Sequence, residues 1–407
     1  MAAARTLTAL ASLLSRAGDP RSRELHAEAL TLLEAEPPGL ELVNAYTALA
    51  SSKEVDAAYP EAIAAAERAL QLATDLGLPE PVYAMGVCGS ARASLGQADG
   101  LADMRRALAL AVEQGRGRAA ASLHNNLAVV TWQYEGPPAA LELCGAGIEF
   151  CERRGIASVA LAIAATRLTF LAACGHTERA LADVTSVAAQ AEAAGDRALI
   201  EARSVQLTLL GRRGEGAEAA AAEQLVATAR ETGEPQSVAM GFAAAAQLML
   251  AGGHTERARA LLEELERTSG TRADSYYAAA LPGLVRCALS LGDPAPAARL
   301  VAGVEPRTPL QQHALATSRA ALAEAAGDHA AAAAAYADAA AQWRQFGDVP
   351  EFAYALLAQG RCLVALGATE ANEPLREARE LFITMGYAPA LSEADAVLRL
   401  AVAPTSQ

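Results

Sequence analysis

Apolar residues recur along this chain with the spacing of α-helices, and glycines interrupt the pattern at regular intervals. Near the N-terminus, Leu7, Leu10, Leu13 and Leu14 fall on one face of a helix. The hexapeptide GHTERA occurs at Gly175–Ala180 and again 78 residues later. Because 78 is twice 39, the repetition indicates a unit of 39 residues. Turns in this phase fall near 18, 57, 96, 136, 175, 214, 253, 292, 327 and 367, and all of these positions except Ala57 are glycine.

A second series of turns lies between those of the first and divides each unit into two helices. It passes Pro306 without a glycine and otherwise consists of Gly39, Gly77, Gly115, Gly155, Gly195, Gly233, Gly270, Gly347 and Gly386. This pattern predicts an all-α solenoid of about ten helix hairpins over residues 1–387, with a capping helix and tail over residues 388–407.

Small residues at fixed distances from the first turn support the hairpin interpretation. Five residues after the turn stand Ala62, Ala180, Ala219, Ala258, Ala297 and Ala332. Seven residues before it stand Ala11, Ala50, Gly89, Ala246, Ala320 and Gly360. Helices with small residues at such positions cross closely, as ridges of one pack into grooves of the other.

Composition agrees with helices and narrows the function. Hydrophobic residues make up 53% of the chain but aromatic residues only 4%, so alanine, the best helix former, supplies much of the apolar fraction. The net charge of −14 and the lack of a basic block argue against nucleic acid as a partner, and Lys53 is the only lysine among 33 basic residues. The six scattered cysteines favour free, mostly buried thiols in a reducing compartment. No apolar stretch is long enough to span a bilayer, so we expect a cytoplasmic protein without membrane contact.

The repeated hexapeptide itself is interpreted as the start of a second helix. His176 and His254 stand where other units have Asp19, Asp293 and Asp328, a position that favours side chains that cap free backbone N–H groups. The adjacent threonines are further candidates for capping. We therefore assign the histidines a capping role and not a metal or catalytic one.

The small–turn–small pattern in a helix pair resembles the tetratricopeptide (TPR) repeat, and the long unit resembles the variant found in MalT-like regulators. The segments Asn125–Ile156, Ala355–Gly367 and Pro374–Tyr387 are similar to the C-terminal repeat region of actinobacterial adenylate or guanylate cyclase–ATPase and LuxR-type regulators. This resemblance implies a right-handed superhelix and a place in bacterial signalling or regulation.

The chain departs from those relatives in chemistry. It has no GxxxxGK[ST] loop for a nucleotide phosphate, and Lys53 lies in SSKEV without a glycine loop. His124, His313 and His329 lack the spacing of zinc ligands, and no catalytic serine or cysteine motif is present. The sequence therefore predicts a protein without enzymatic activity, cofactor or metal.

A binding surface remains, and the concave side formed by the first helices is where solenoids usually bind. Inward positions recur at 13, 10, 6 and 3 residues before the turn, as with Asn44, Thr47, Ser51 and Glu54 in one unit. From these positions the predicted partner-binding residues are Tyr83, Asn126, Gln133, Glu201, Gln247, Arg286, Tyr354 and Arg361.

These side chains suit an extended acidic or polar ligand, because amides donate and accept hydrogen bonds and arginine forks bind carboxylates. The first hypothesis is a scaffold that binds a protein or peptide on its concave face. The alternative is a repeat domain that senses a small effector for a signalling ATPase, cyclase or transcriptional regulator. Homo-oligomerisation stays open.

Overall fold

The computed structural model describes residues 2–215 and 218–402, and within these ranges the chain is α-helical with no strand. Two short 3-10 helices occur at Thr271–Ala273 and Thr369–Ala371. The α-helices are α1 (Ala2–Arg16), α2 (Arg21–Glu34), α3 (Leu40–Val55), α4 (Tyr59–Asp75), α5 (Val82–Ser94), α6 (Asp99–Glu113), α7 (Gly117–Glu135), α8 (Pro137–Glu152), α9 (Ala157–Ala173), α10 (Thr177–Ala194), α11 (Ala198–Arg213), α12 (Ala219–Thr232), α13 (Pro235–Ala251), α14 (Thr255–Arg267), α15 (Ser275–Ser290), α16 (Pro294–Val301), α17 (Pro309–Ala325), α18 (His329–Phe346), α19 (Val349–Ala365), α20 (Asn372–Met385) and α21 (Ala388–Val402).

The helices pair in chain order as hairpins, with odd-numbered helices first and even-numbered helices second. From α3 onward, each first helix also packs against the first helix of the next hairpin, as α3 does against α5 and α11 against α13. The predicted all-α solenoid is therefore confirmed. Helix α21 follows the last hairpin and packs against α20, α19 and α11. The predicted tail after it, residues 403–407, lies outside the described residues.

The turns inside the hairpins share a left-handed backbone conformation. The glycines of the first series all have positive φ, from 70° at Gly367 to 90° at Gly136. Ala57 occupies the one position of this series without a glycine and takes the same conformation, with φ 56°. It is the only described residue other than glycine with positive φ, so the turn geometry of the repeat prevails over the local preference of alanine.

The small residues do allow the helices to cross closely. A Cβ on Gly89 would lie 2.7 Å from the Gly100 carbonyl oxygen, and one on Gly360 would lie 2.4 Å from Leu375 Cγ. Of the alanines five residues after the turn, Ala219 is partly exposed, and the others are fully buried. A larger residue at these crossings would push the helices of a hairpin apart.

The solenoid winds back on itself, so that hairpin turns of its first half contact connecting loops of its second half. Gly136 lies against Phe346, Gly96 lies against Arg307, and the Tyr59 hydroxyl donates a hydrogen bond of 3.4 Å to the carbonyl oxygen of Ala273. In each pair the partner follows about 210 residues later, between five and six hairpins along the chain. We call α1–α10 the first layer and α11–α21 the second layer.

The last four turns of the first series have open space around their glycines. Around Gly253, Gly292, Gly327 and Gly367, a Cβ would meet no atom within 4 Å. The same kind of turn thus contacts the other layer in the first half of the protein and has open space around it near the end of the chain. Glycine is required for close approach in the first case and for backbone conformation alone in the second.

The capping role assigned to the histidines of GHTERA is wrong, although their position is right. His176 and His254 immediately precede α10 and α14, but neither side chain caps the helix. Asp293 and Asp328 do cap at the equivalent turns, by accepting hydrogen bonds from the backbone N–H groups of Ala295 and Ala331. An imidazole nitrogen at the end of a longer side chain does not reach the backbone donors that an aspartate oxygen reaches.

The cysteines are free thiols, and five of the six are buried, as expected; Cys174 is partly exposed. None of the described helices is both long and apolar enough to cross a membrane.

Candidate ligand channel

Three connected cavities follow the inside of the superhelix. The widest, which we call the outer chamber, has a volume of about 910 Å³ and is lined mainly by α1, α3, α7 and α9. Its arginines and carboxylates balance: Arg16, Arg23, Arg118 and Arg197 face Asp19, Asp56, Asp196 and Glu234. The chamber is therefore polar and without a strong charge preference.

The neck is a narrower cavity of about 180 Å³ between the two layers. The first layer contributes side chains from α3, α5, α7 and α9, and the second layer contributes the starts of α11, α13 and α15. Ser51, Tyr83, Asn126, Ala162 and Arg197 line both the outer chamber and the neck, so the two spaces are continuous.

The inner pocket, of about 130 Å³, continues the neck past Met240 and Tyr276, which line both. Trp132 forms part of its wall, with the Tyr276 ring 5.3 Å away across the layers. Gln247, Arg212, Asp348 and Glu351 are polar residues of the same wall. The channel thus narrows from a wide mouth to a small pocket with Trp132 and Tyr276 in its wall.

Carboxyl groups dominate the neck. Its lining contains the carboxylates Glu54, Asp196, Glu201, Glu234 and Asp274 but a single arginine, Arg197. Arg197 forms an ion pair of 2.9 Å with Glu234, so it does not neutralise the others. The neck is a site of negative potential inside a polar channel.

Burial raises the pKa of three of these carboxyl groups, Glu54, Asp274 and Glu201. Desolvation raises the pKa of Glu54 from 4.5 to about 7, and a hydrogen bond with Ser90 offsets part of the shift. Desolvation likewise raises the pKa of Asp274 from 3.8 to about 6, against the backbone N–H groups of Tyr276 and Tyr277 that stabilise the anion. Burial thus disfavours the charged form of Glu54 and of Asp274, and neither has an ion pair among the described residues.

Glu201 is held differently, by three hydroxyl groups. Tyr276 donates a hydrogen bond of 2.9 Å to this carboxylate, Thr169 donates one of 3.1 Å and Thr166 one of 3.2 Å. Burial still raises the pKa of Glu201. Because Tyr276 is on α15 and the threonines are on α9, Glu201 joins the two layers at the floor of the neck.

The predicted binding residues separate into groups in the structure. Tyr83, Asn126, Gln133 and Glu201 line the neck together, and Gln247 lines the inner pocket. Asn126 hydrogen-bonds to the Tyr83 hydroxyl, which fixes both side chains at the junction with the outer chamber.

The other predicted residues are engaged within the chain. Arg286 binds Glu351 through two hydrogen bonds of 2.6 and 2.7 Å, and its guanidinium lies 4.1 Å from the centre of the Tyr354 ring. Arg361 pairs with Glu324 and with Glu393, away from the three cavities. These arginine forks are occupied by carboxylates of the protein itself, so their charge is not free for an acidic ligand.

Sequence reasoning did not select two groups that the geometry makes prominent, Glu54 and Asp274. Glu54 occupies an inward position of α3, but it was not distinguished there from its polar neighbours. Asp274 lies just before α15, where the helical-face rule does not apply, and its side chain caps that helix by accepting from the Tyr276 N–H at 2.8 Å. Only the stacking of the layers brings the two into one cavity.

Within residues 2–215 and 218–402 no group of three or more histidine, cysteine or acidic side chains could hold a metal ion. The buried thiols are also poor nucleophiles: burial raises the pKa of Cys144 and of Cys287 to about 12. At neutral pH these cysteines therefore carry the proton that a reactive thiolate would lack.

We expect Glu54→Gln to stabilise the protein, and the gain should grow as pH rises from 5 to 8. The folded protein binds more protons than the unfolded chain between the ordinary pKa of a glutamate and about 7, so the Glu54 penalty appears as pH rises through that window. The gain at pH 8 should be on the order of 1–3 kcal/mol. Urea denaturation at several pH values measures it.

The matched control is Glu28→Gln, because Glu28 is exposed on α2. The wild type and both variants share the other titratable groups near Glu54, which are Tyr59, Tyr83, Asp274 and Arg197, and they share the buried histidines. The comparison therefore isolates the effect of the Glu54 carboxyl group on stability. A pH-independent difference for Glu54→Gln would show that this carboxyl group is not desolvated.

Comparison with known proteins gives remote likenesses only. No family model matches the chain, and no curated protein matches it. Among solved structures, a Rap protein complexed with competence and sporulation factor is similar over 89% of this chain and 98% of its own, with 10% identity and a TM-score of 0.46. A monomeric IFIT1 mutant with m7Gppp-AAAA is similar over 97% and 89%, with 14% identity and a TM-score of 0.45. A circular tandem repeat protein gives 16% identity and a TM-score of 0.19 over 98% and 96%.

Proposed function

We propose that this protein is a non-catalytic binding protein of the helix-hairpin repeat class and that it holds an extended peptide segment of a partner in its axial channel. The observation that carries the proposal is the continuity of the outer chamber, neck and inner pocket along the inside of the superhelix. A folded domain does not fit such a tapering space, whereas an extended chain enters it end-on.

The lining suits a polypeptide backbone. Peptide N–H and C=O groups need hydrogen-bond partners when they leave water, and amide and hydroxyl side chains supply both donors and acceptors. The channel presents such groups from successive first helices: Thr47 and Ser51 on α3, Asn125 and Asn126 on α7, and Thr166 on α9. Donors and acceptors arranged in this way bind the backbone of an extended peptide that runs along the superhelix axis.

The second candidate, the sensing of a small effector, is favoured by the size of the neck and inner pocket. A molecule bound there would contact both layers at once, so its binding would bias their packing. A role in bacterial signalling or regulation accompanies either candidate and rests on the resemblance of the sequence to MalT-like and actinobacterial repeat regions.

We expect Ala162→Trp to block the channel. Ala162 on α9 lines both the outer chamber and the neck, so an indole there fills the passage between them. A positional-scanning library of fluorescently labelled hexapeptides, read by fluorescence polarisation, should contain pools that bind the wild type. Their affinity for Ala162→Trp should be lower by about tenfold or more.

The control is Ala334→Trp, the same substitution at an exposed position of α18, a second helix. It should bind the same pools as the wild type. The proposal fails if no pool binds the wild type, or if Ala162→Trp and Ala334→Trp bind equally well.

A further inference from the structure

We infer that the neck takes a positively charged head group, an alkylammonium or a guanidinium, and holds it between Glu54 of the first layer and Asp274 of the second layer. The inference rests on the proposed function in one respect: the head group belongs to a lysine or arginine side chain of the bound peptide. It adds the chemical class of the group that the neck selects.

The neck has more carboxylates than cationic side chains, so a bound cation can pair with a carboxylate there. Arg197 pairs with Glu234 and also lies near enough to Glu201 to lower its pKa, whereas among the described residues neither Glu54 nor Asp274 forms an ion pair. Glu201 is satisfied by three hydroxyl donors. Asp196 accepts from the Ala198 N–H at the start of α11. Glu54 likewise has one hydrogen bond, with the Ser90 hydroxyl, and no cation is among the causes that shift its pKa.

Glu54 and Asp274 line the neck from different layers. Glu54 lies at the end of α3, and Asp274 lies just before α15. The Tyr59 hydroxyl is close enough to both carboxyl groups for each to raise its pKa, and it also bonds to the carbonyl oxygen of Ala273. The two carboxylates therefore flank one region of the neck, and a cation between them contacts both layers.

Neutral groups in the same cavity point independently to a ligand with hydrogen-bond donors. Gln133 is 5% exposed and Ser275 is 7% exposed, both line the neck, and among the described residues neither side chain has a hydrogen-bond partner. The buried Asn125 side-chain oxygen is also without a partner. A buried acceptor without a partner costs free energy, which a bound donor recovers.

Ammonium and guanidinium groups match this lining because they carry donors and no acceptor. A guanidinium presents five N–H donors, enough to reach two carboxylates and the Gln133 amide oxygen together. Desolvation raises the pKa of Glu54 to about 7, so the free protein bears a penalty for this charge that a cation would offset. An anionic or purely apolar group would leave that penalty in place.

The test is isothermal titration calorimetry at pH 8 with N-acetyl-arginine methylamide and with N-acetyl-citrulline methylamide, which replaces the guanidinium by a neutral urea of similar shape. The arginine probe should bind the wild type at least about tenfold more tightly than the citrulline probe. Glu54→Gln and Asp274→Asn should each weaken the arginine probe by about tenfold, while Glu28→Gln should bind it as the wild type does. The stability gain expected for Glu54→Gln excludes unfolding as the reason for its loss.

Equal binding of the two probes, no binding of either, or unchanged binding by Glu54→Gln and Asp274→Asn, would overturn the inference. The hexapeptide library separates this failure from that of the proposed function. Pools that bind, depend on Ala162 and show no preference for lysine or arginine leave the channel proposal standing and remove the cation site. If the arginine probe binds but no peptide pool does, the cation site stands and the peptide-binding proposal fails. The cation site then serves a small effector.

Discussion

Gly136→Ala should lower the free energy of unfolding by about 3 kcal/mol or more. Gly136 has φ 90°, a conformation that L residues avoid, and its added Cβ would lie 1.8 Å from the carbonyl oxygen of Phe346. That oxygen belongs to the backbone of the other layer, so it moves only if the layers separate. Chemical denaturation followed by far-ultraviolet circular dichroism measures the loss.

Gly367→Ala is the matched control for this effect. Gly367 has the same kind of turn, with φ 70°, but no atom within 4 Å of an added Cβ. It should lose about 1–2 kcal/mol from backbone strain alone. The excess loss at Gly136 therefore measures the stacking of the layers. Similar losses at the two positions would mean that the layers do not stabilise each other at this contact.

Arg286→Ala should destabilise the protein by about 3–5 kcal/mol. Arg286 is the bidentate partner of Glu351, whose side chain is 4% exposed, and its loss leaves a buried carboxylate beside Asp348. Burial and the charge of Glu351 already raise the pKa of Asp348 to about 7. Arg212 stays 3.9 Å from Glu351 and offsets part of this charge, but at that distance it makes no hydrogen bond to the carboxylate. Thermal and chemical denaturation at pH 8 measure the effect.

Two comparisons make this expectation specific. Arg344→Ala removes an exposed pair with Glu377 and should cost less than about 1 kcal/mol. Adding Glu351→Gln to Arg286→Ala should recover part of the loss, because it removes the uncompensated charge. If Arg286→Ala keeps wild-type stability and yet loses peptide binding, Arg286 faces the ligand, as sequence reasoning had predicted.

Local sequence patterns predicted the hairpins because each hairpin is specified by residues that lie close together in the chain. A glycine at the turn and small residues five after it and seven before it concern contacts within one hairpin, such as Gly89 against Gly100. Even Ala57, which breaks the glycine series, keeps its left-handed turn because the neighbouring units impose the geometry. The helical-face rule also placed Asn126 and Gln133 on the same inner face of α7, where both line the neck.

The same rule could not tell which inward side chains are free. Arg286 and Glu351 are 65 residues apart in the chain, and Arg361 and Glu324 are 37 apart. The sequence around each residue does not indicate that they pair. An inward arginine looks equally suited to a ligand or to a carboxylate of a neighbouring helix. Only the packing of different hairpins distinguishes them, which is why the proposed ligand is cationic and not acidic.

The sequence by itself determined the α-helical hairpins, their number and the helix faces that turn inward, because each depends on residues within one or two units. The tertiary structure alone decided how the layers meet: Gly136 against Phe346, and Glu54 with Asp274 around one cavity. Those contacts depend on the small rotation from each hairpin to the next, summed over between five and six hairpins. A slight change in that rotation would leave every local pattern intact and move the carboxylates of the neck apart.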